Sequence, residues 1–323
     1  INNLIICKKN CPKCNNKNIK LNWKNDKWKQ KFKCKKCNFC FVRKDRKNDK
    51  IRWKNIFNNW IKEWYSIRQL SDQNSIKTIY IKELIRNELD TNLIYQIDIV
   101  FDNVKYIMID WTWITKKICL IIYYDYVNKK VIYFWFYDAE RYEYIENDLK
   151  TLRYEYNYQI ECFIVDWAKN IKKAIEKIFP NAKIQRCLTH IKRQIQNNIS
   201  KKPQSNCWKE LKRLINFKKF SNEKLFIKKF NNWEEKYFDF LNEKTINWDK
   251  SRYTHKKLRS AKSHIKNAIP YMFHYLKNEN IKKSNNDLEW LNGVLDGHIF
   301  NHRWLRKDRL ISFVSLWLYE RNL

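Results

Sequence analysis

Three consecutive apolar runs rich in β-branched and aromatic residues, VKYIMID (104–110), KICLIIYYDYV (117–127) and VIYFWFYD (131–138), are joined by links as short as Asn128-Lys129-Lys130. Links this short permit antiparallel neighbours only, so the runs predict a three-stranded meander. The pattern then alternates. A helix is expected over 140–156, a strand at ECFIVD (161–166), a helix over 168–179, a short strand at AKIQ (182–185) and a helix around Cys187. Strands separated by helices pair in parallel, which makes the expected fold class α/β on a mixed sheet.

Asp110 closes the first of these strands and Asp166 the fourth, at the rim of a sheet, where side chains leave the core. A third acid, Glu289, lies far downstream in SNNDLEWLN. Carboxylates are the hard oxygen donors that magnesium prefers. Two such cations about 4 Å apart can activate one oxygen of a phosphodiester exchange and stabilise the other. Singly, each acid has a plainer explanation, because an Asp after a strand is commonly a turn residue or helix N-cap.

The surroundings add weight. Cys187 and His190 stand i, i+3 on one helical face some twenty residues after Asp166, and Asn286, Glu289 and Asn292 recur at i, i+3, i+6, so two amides flank the acid. Thiolate and imidazole are the usual zinc donors. No second pair stands at zinc spacing nearby, and Cys187 and His190 are therefore assigned a structural or substrate-positioning task beside Asp166.

With Asp166 followed closely by Ala168-Lys169-Asn170, these motifs make the chain resemble the DDE transposases of bacterial insertion sequences and their Mutator-like relatives, from the first cysteines to about Tyr319. The resemblance implies a ribonuclease-H-like catalytic domain, with first and fourth strands side by side and a helical insertion between the second Asp and the Glu. It implies cutting and joining of DNA ends with magnesium or manganese. Its triad carries over onto Asp110, Asp166 and Glu289, with Asp110 bridging both ions and the others each holding one. The implied partners are an element's terminal repeats and target DNA, bound by a homo-oligomer. Two alternatives stay open: a DNA-binding regulator with an inert catalytic domain, and a nuclease of the same fold that never joins ends.

Composition points the same way. Against 34 Asp and Glu, 67 Lys and Arg give a formal charge of +33, spread over nearly every segment of the 323 residues. A polyanion is the natural partner, held by many salt-sensitive phosphate contacts, although an A/T-rich genome also inflates Lys, Asn and Ile. Membrane is not expected, because no apolar stretch approaches the roughly 18 residues of a spanning helix and no signal-peptide pattern opens the chain. The reading is a soluble, cytoplasmic protein.

The first 45 residues read as a zinc ribbon. Cys11-Pro-Lys-Cys14 and Cys34-Lys-Lys-Cys37 are two CxxC pairs nineteen residues apart, the arrangement in which four thiolates surround one Zn2+. Between them a β-hairpin with an Asn-Asp turn is expected. Cys7 and Cys40 are surplus. A disulfide reading is weak, since nothing suggests secretion.

Residues 46–98 read as a helix-turn-helix unit. Ile56, Phe57, Trp60, Ile61 and Trp64 form one helical face, a short helix follows at SIRQLS, and a turn is expected at Asp72-Gln73-Asn74. In SIKTIYIKELIRNEL, Ile76, Ile79, Tyr80 and Leu84 are expected on the packed side. Lys77, Thr78, Lys82 and Arg86 are the candidate DNA contacts. A generic three-helix bundle fits nearly as well.

The catalytic core is then expected over 99–199 and 284–323, interrupted by a helical insertion over 200–283 in which Phe226, Phe230 and Trp233 form a core face. HRWLRKDR (302–309) offers a basic loop near the active site, with Arg303, Lys307 and Arg309 facing DNA.

One oddity remains. The chain has 2 Gly and 15 Trp, where about 7% Gly is ordinary. Trp111, Trp167 and Trp290 directly follow the three acids, and in the resembling family these places and those of Trp28, Trp64 and Trp304 are commonly glycine, whereas Trp60 and Trp113 look native. The pattern suggests UGA codons read as Trp in a coding table that assigns them Gly.

Overall fold

A computed structural model describes residues 10–24, 30–42, 46–63, 65–91, 100–166, 169–198, 204–216, 222–247, 250–302 and 304–322. They divide into two units, Ile1–Leu84 and Ile85–Leu323.

In the first unit, β1 (Ile19–Lys24) and β2 (Gln30–Cys34) pair antiparallel, and β2 pairs antiparallel with β3 (Cys40–Val42). The Asn-Asp turn between β1 and β2 and Cys7 lie outside the described residues. So small a sheet has little apolar core, and what it has is aromatic: Phe32 faces Phe41 across the β2–β3 pair with ring centroids 6.0 Å apart. Asn15 and Asn38, each directly after a Cys-x-x-Cys, take left-handed backbone angles of φ 57° and 55°. Their N–H groups donate to the carbonyls of Cys11 and Cys34 at 2.9 and 3.0 Å, which curls each pair into a tight knuckle.

Helix α1 (Arg46–Lys62) buries Ile56, Phe57, Trp60 and Ile61, the face expected from periodicity; Trp64 lies outside the described residues. Helix α2 (Ile67–Asn74) starts at a capping box, in which Gln69 N–H donates to Ser66 Oγ at 3.3 Å and Ser66 N–H to Gln69 Oε1 at 2.8 Å. It continues through the expected turn at Asp72-Gln73-Asn74 and ends instead at Ser75, whose φ is 52°. Helix α3 (Thr78–Thr91) corrects the sequence reading of its packed side. Ile81, Ile85 and Leu89 are buried at i, i+4, i+8, whereas Ile79 and Tyr80 are 66% and 57% exposed.

The second unit is built on a five-stranded mixed sheet of order β6-β5-β4-β7-β8. Strands β4 (Tyr106–Thr115), β5 (Ile118–Asp125) and β6 (Lys130–Tyr137) form the expected antiparallel meander. After α4 (Tyr142–Lys150), which continues as one π turn over Thr151–Glu155, strand β7 (Cys162–Val165) pairs in parallel with β4. Helix α5 (Lys169–Ile178) leads to β8 (Lys183–Arg186), parallel to β7.

Alternation along β4 sorts its side chains. Ile107 and Ile109 join the core formed with Ile145 and Leu149 of α4 and Ile171, Ala174 and Ile175 of α5. Each fully buried Ile or Leu there contributes about 1.5–3 kcal/mol. Met108 and Asp110 point to the opposite face, where α11 (Asn286–Asn301) packs on β4 and α12 (Lys307–Glu320) on β6.

Between β8 and α11, α6 (Leu188–Asn198), α7 (Asn206–Leu214), α8 (Glu223–Lys236), α9 (Phe238–Asn242) and α10 (Lys256–Ala268) close around a separate core that includes Phe226, Phe230 and Trp233. The segment is not wholly helical as expected: β9 (Lys244–Asn247) and β10 (Lys250–Tyr253) form a hairpin within it. Among the described residues no helix is long and apolar enough to cross a membrane.

Candidate active site

Strand β4 is longer than expected. It runs five residues beyond Asp110 because β5 stays paired with it as far as Thr115, so Asp110 is not at the strand's end. On the other side, β7 stops at the Ile109–Val165 pair. Asp110 and Asp166 are therefore the next residues of two parallel strands, adjacent despite their separation in sequence. The shorter neighbour, not the strand's own end, leaves Asp110 unpaired on its β7 side.

Helix α11 supplies the third acid from across this opening. Glu289 lies in its first turn, and Asn292, one turn on and buried, donates its side-chain amide to Asp110 Oδ2 at 3.0 Å. The backbone N–H of Trp111 donates to Asp110 Oδ1, also at 3.0 Å. Burial, then the charges of Asp166 and Glu289, push the Asp110 carboxyl up to about 7 against these two donors. Three acids crowded at one buried edge, with the innermost driven toward neutrality, are a donor set that a hard divalent cation would relieve. The donor chemistry suits magnesium, but the three carboxylates are not drawn within 4.8 Å of one another; Glu289 groups instead with Cys187 and His190.

His190 joins the acids. Its Nε2 lies 3.3 Å from Glu289 Oε1 and 3.6 Å from Asp166 Oδ2. Cys187, buried just before α6, receives backbone N–H groups from Asn285, His190 and Thr189, while burial raises its thiol. Asn286 is exposed, and its Oδ1 accepts the Thr189 hydroxyl at 3.3 Å. The expected pair of amides around Glu289 is thus divided, Asn292 serving Asp110 and Asn286 serving α6. Sequence reading missed Arg193, whose Nη1 is 3.3 Å from His190 Nε2 and Nη2 3.8 Å from Glu289 Oε2. Its signal was available, since Cys187, His190 and Arg193 repeat at i, i+3, i+6.

In the first unit the sulfurs of Cys11 and Cys37, and of Cys14 and Cys34, are 3.5 Å apart, and all four lie within 4.8 Å of one another. Thiolates around tetrahedral zinc stand about 3.8 Å apart. The set fits zinc. Backbone N–H groups of Cys37 and Lys36 help pull the Cys34 thiol down to about 6. Surplus Cys40 stands outside the cluster, its sulfur 3.5 Å from Asn22 Nδ2.

Of the candidate DNA contacts, Lys77, Thr78, Lys82 and Arg86 are all exposed at the start of α3 and along it. Lys307 is exposed at the start of α12, and Arg303 lies outside the described residues. Arg309 is engaged by Asp90, with Nε to Oδ1 at 2.7 Å and Nη2 to Oδ2 at 2.8 Å, so an anion there has to compete with a bidentate pair.

A family model described as "Transposase, Mutator family" matches residues 117–296, more than half of the chain, a span that contains Asp166, Cys187, His190 and Glu289. A comparison with curated proteins returns no match. Among solved structures the chain is similar to the crystal structure of a ROK family transcriptional regulator, a homolog of the E. coli MLC protein, at 9% identity and a TM-score of 0.20, over 84% of this chain and 98% of that one. A likeness this weak carries no argument.

Proposed function

The chain belongs to the Mutator family of transposases, and from that premise we propose that it cuts and joins DNA ends at Asp110, Asp166 and Glu289 on a ribonuclease-H-like core. The observation that carries the reading is the convergence of these acids from β4, the end of β7 and the first turn of α11, with burial and both neighbours raising Asp110 to about 7. Magnesium or manganese, when bound, supplies Lewis-acid activation of the attacking oxygen and stabilisation of the leaving one. Asp110 would contact both ions, with Asp166 and Glu289 each holding one.

The chain's own residues set the geometry. Trp111 N–H and the Asn292 amide fix one oxygen each of Asp110, which would hold the carboxylate in one orientation for a cation. The edge at Asp110 and Asp166 is read as the side from which a DNA strand reaches the acids. Water serves as nucleophile in the first step, and the freed 3′-hydroxyl in the second.

The four-cysteine unit is proposed to be a zinc ribbon over residues 1–45 and the three helices a helix-turn-helix unit over 46–98, together reading an element's terminal repeats. Exposed Lys77, Thr78, Lys82 and Arg86 support this. The insertion over 200–283 then separates the catalytic parts 99–199 and 284–323, and the protein acts in the cytoplasm as a homo-oligomer on DNA.

Purified Asp110→Asn protein tests the central claim. Each acid is a metal donor, so this substitution and Glu289→Gln should each abolish divalent-metal-dependent cleavage while DNA binding survives. Normal cleavage by Asp110→Asn would overturn the assignment. A strand-transfer assay on the unaltered protein separates a transposase from a nuclease that never joins ends.

A further inference from the structure

Cys187, His190 and Glu289 bring a thiol, an imidazole and a carboxylate together, with one donor atom of each within 4.8 Å of the others. Asp110 and Asp166 offer oxygen only. A mixed sulfur, nitrogen and oxygen set selects differently from an all-oxygen one: magnesium has little use for thiolate, whereas zinc, cobalt and cadmium take all three donors. The fold holds the set together from two sides. Cys187 and His190 lie one turn apart at the start of α6, Glu289 is in the first turn of α11, and Asn285, just before α11, directs its backbone N–H at the Cys187 sulfur.

Two further observations point to a ligand. Glu289 Oε1 is buried and makes no hydrogen bond, its near neighbour being His190 Nε2 at 3.3 Å, and His190 Nδ1 is buried with no hydrogen-bond partner among the described residues; unmet buried polar atoms cost free energy unless something satisfies them. Around tetrahedral zinc, oxygen, nitrogen and sulfur donors stand about 3.3–3.8 Å apart, so the set needs only a small contraction to close on an ion. Three protein donors leave a fourth position open, and Asp166 Oδ2, 3.6 Å from His190 Nε2, is beside it.

We infer that Cys187, His190 and Glu289 form a site for a thiophilic divalent cation, separate from the four-cysteine cluster and sharing Glu289 with the proposed magnesium site. The sequence offers Cys187 and His190 as a zinc-type pair that spacing sets aside for want of further donors nearby; the third donor lies 99 residues beyond His190. Binding there engages Glu289, so zinc draws the third carboxylate away from the pair formed by Asp110 and Asp166. That regulatory consequence rests on the function proposed above; the binding itself does not.

The test is cadmium binding to the full chain without DNA, read as stoichiometry and by 113Cd NMR. Two equivalents are expected, one giving a four-sulfur signal and one a resonance well upfield of it. His190→Gln and Glu289→Gln should each lose or weaken the second equivalent at least tenfold while keeping the first; Cys34→Ser with Cys37→Ser should do the reverse. Asp110→Asn should keep both, so retained cleavage in that variant would overturn the catalytic reading and leave this site standing. A single equivalent in the unaltered protein, or a second one that persists unchanged in both His190→Gln and Glu289→Gln, would overturn the inference. Cys187→Ser, if it folds, should move the second resonance to the position of a site without sulfur.

Discussion

Asn292 holds Asp110 from 182 residues away, its amide 3.0 Å from Oδ2. The bond joins the middle of β4 to the first turns of α11, and it uses the carboxylate oxygen not taken by Trp111 N–H. An outer partner of this kind orients a metal ligand without touching the ion.

Asn292→Ala should therefore leave the fold intact and weaken the metal site. Apparent magnesium affinity in DNA cleavage is expected to fall by about 10–100-fold, the usual cost of losing such a partner. Excess magnesium should restore much of the rate, which it cannot do for Asp110→Asn. A metal titration of cleavage checks this, and unchanged magnesium dependence would show that Asn292 only packs.

The four cysteines predict a folding requirement. Cys34→Ser with Cys37→Ser should remove the zinc bound in the first unit and unfold its three-stranded sheet, because in so small a unit metal affinity is folding free energy. The five-stranded sheet should persist. Elemental analysis with limited proteolysis reads both effects, and native protein without zinc would refute the ribbon.

A third prediction concerns pH. Burial pushes the Asp148 carboxyl up to about 7, although Tyr123, Tyr137 and Tyr133 donate to it; Tyr123 Oη lies 3.0 Å from its Oδ2. The unfolded value is near 4, so between about pH 4 and 7 the folded chain binds the proton more tightly than the unfolded one. Stability contributed by this group is present at low pH and lost as pH rises toward 7. The loss is about 4 kcal/mol at most, since each tenfold difference in proton affinity is worth about 1.4 kcal/mol. Asp148→Asn cannot titrate, so the difference in melting temperature between it and the unaltered protein should grow steadily from pH 4 to 7 in the variant's favour. A flat difference would rule the mechanism out.

Much of this was legible in the sequence because the signals are local. The runs at 104–138 name the meander, and short links settle its direction. Asp166 is visible as a strand's end. What was hidden depends on unequal neighbours or on overlapping periods. Asp110 looks terminal because the apolar run stops there, yet pairing with β5 carries β4 to Thr115. Ile76, Ile79, Tyr80 and Leu84 suit helical spacing as well as Ile81, Ile85 and Leu89 do, and only burial shows which set is packed. The hairpin at 244–253 is mostly polar, with apolar residues only at Ile246, Trp248 and Tyr253, too few to mark two strands. The Arg309–Asp90 pair joins segments 219 residues apart, a distance at which sequence spacing says nothing.

The tryptophans carry the last prediction. Trp290 is 63% exposed directly after Glu289, and Trp304 is 39% exposed. The Trp111 indole packs 6.0 Å from Tyr137, with its Nε1 buried and without a hydrogen-bond partner among the described residues; an unmet donor of this kind costs about 1–3 kcal/mol. Trp60 is fully buried on the α1 face. Trp28, Trp64 and Trp167 lie outside the described residues. No described Trp takes a positive φ, and the crowding of the acids expected from their positions is not what the indoles show: Trp111 packs on the core face of β4, away from Asp110, and Trp290 lies under Arg321. If UGA was read as Trp where the source reads it as Gly, replacing Trp111, Trp167 and Trp290 by Gly should raise metal-dependent cleavage at least tenfold. Stability should move the other way at 290, by about 1 kcal/mol, because glycine is a poor helix residue. A gain in activity with a loss in stability is hard to obtain from a sequence in which tryptophan is native. UGG codons at 111, 167 and 290, or tryptophan masses there in peptides from the native host, would end the idea.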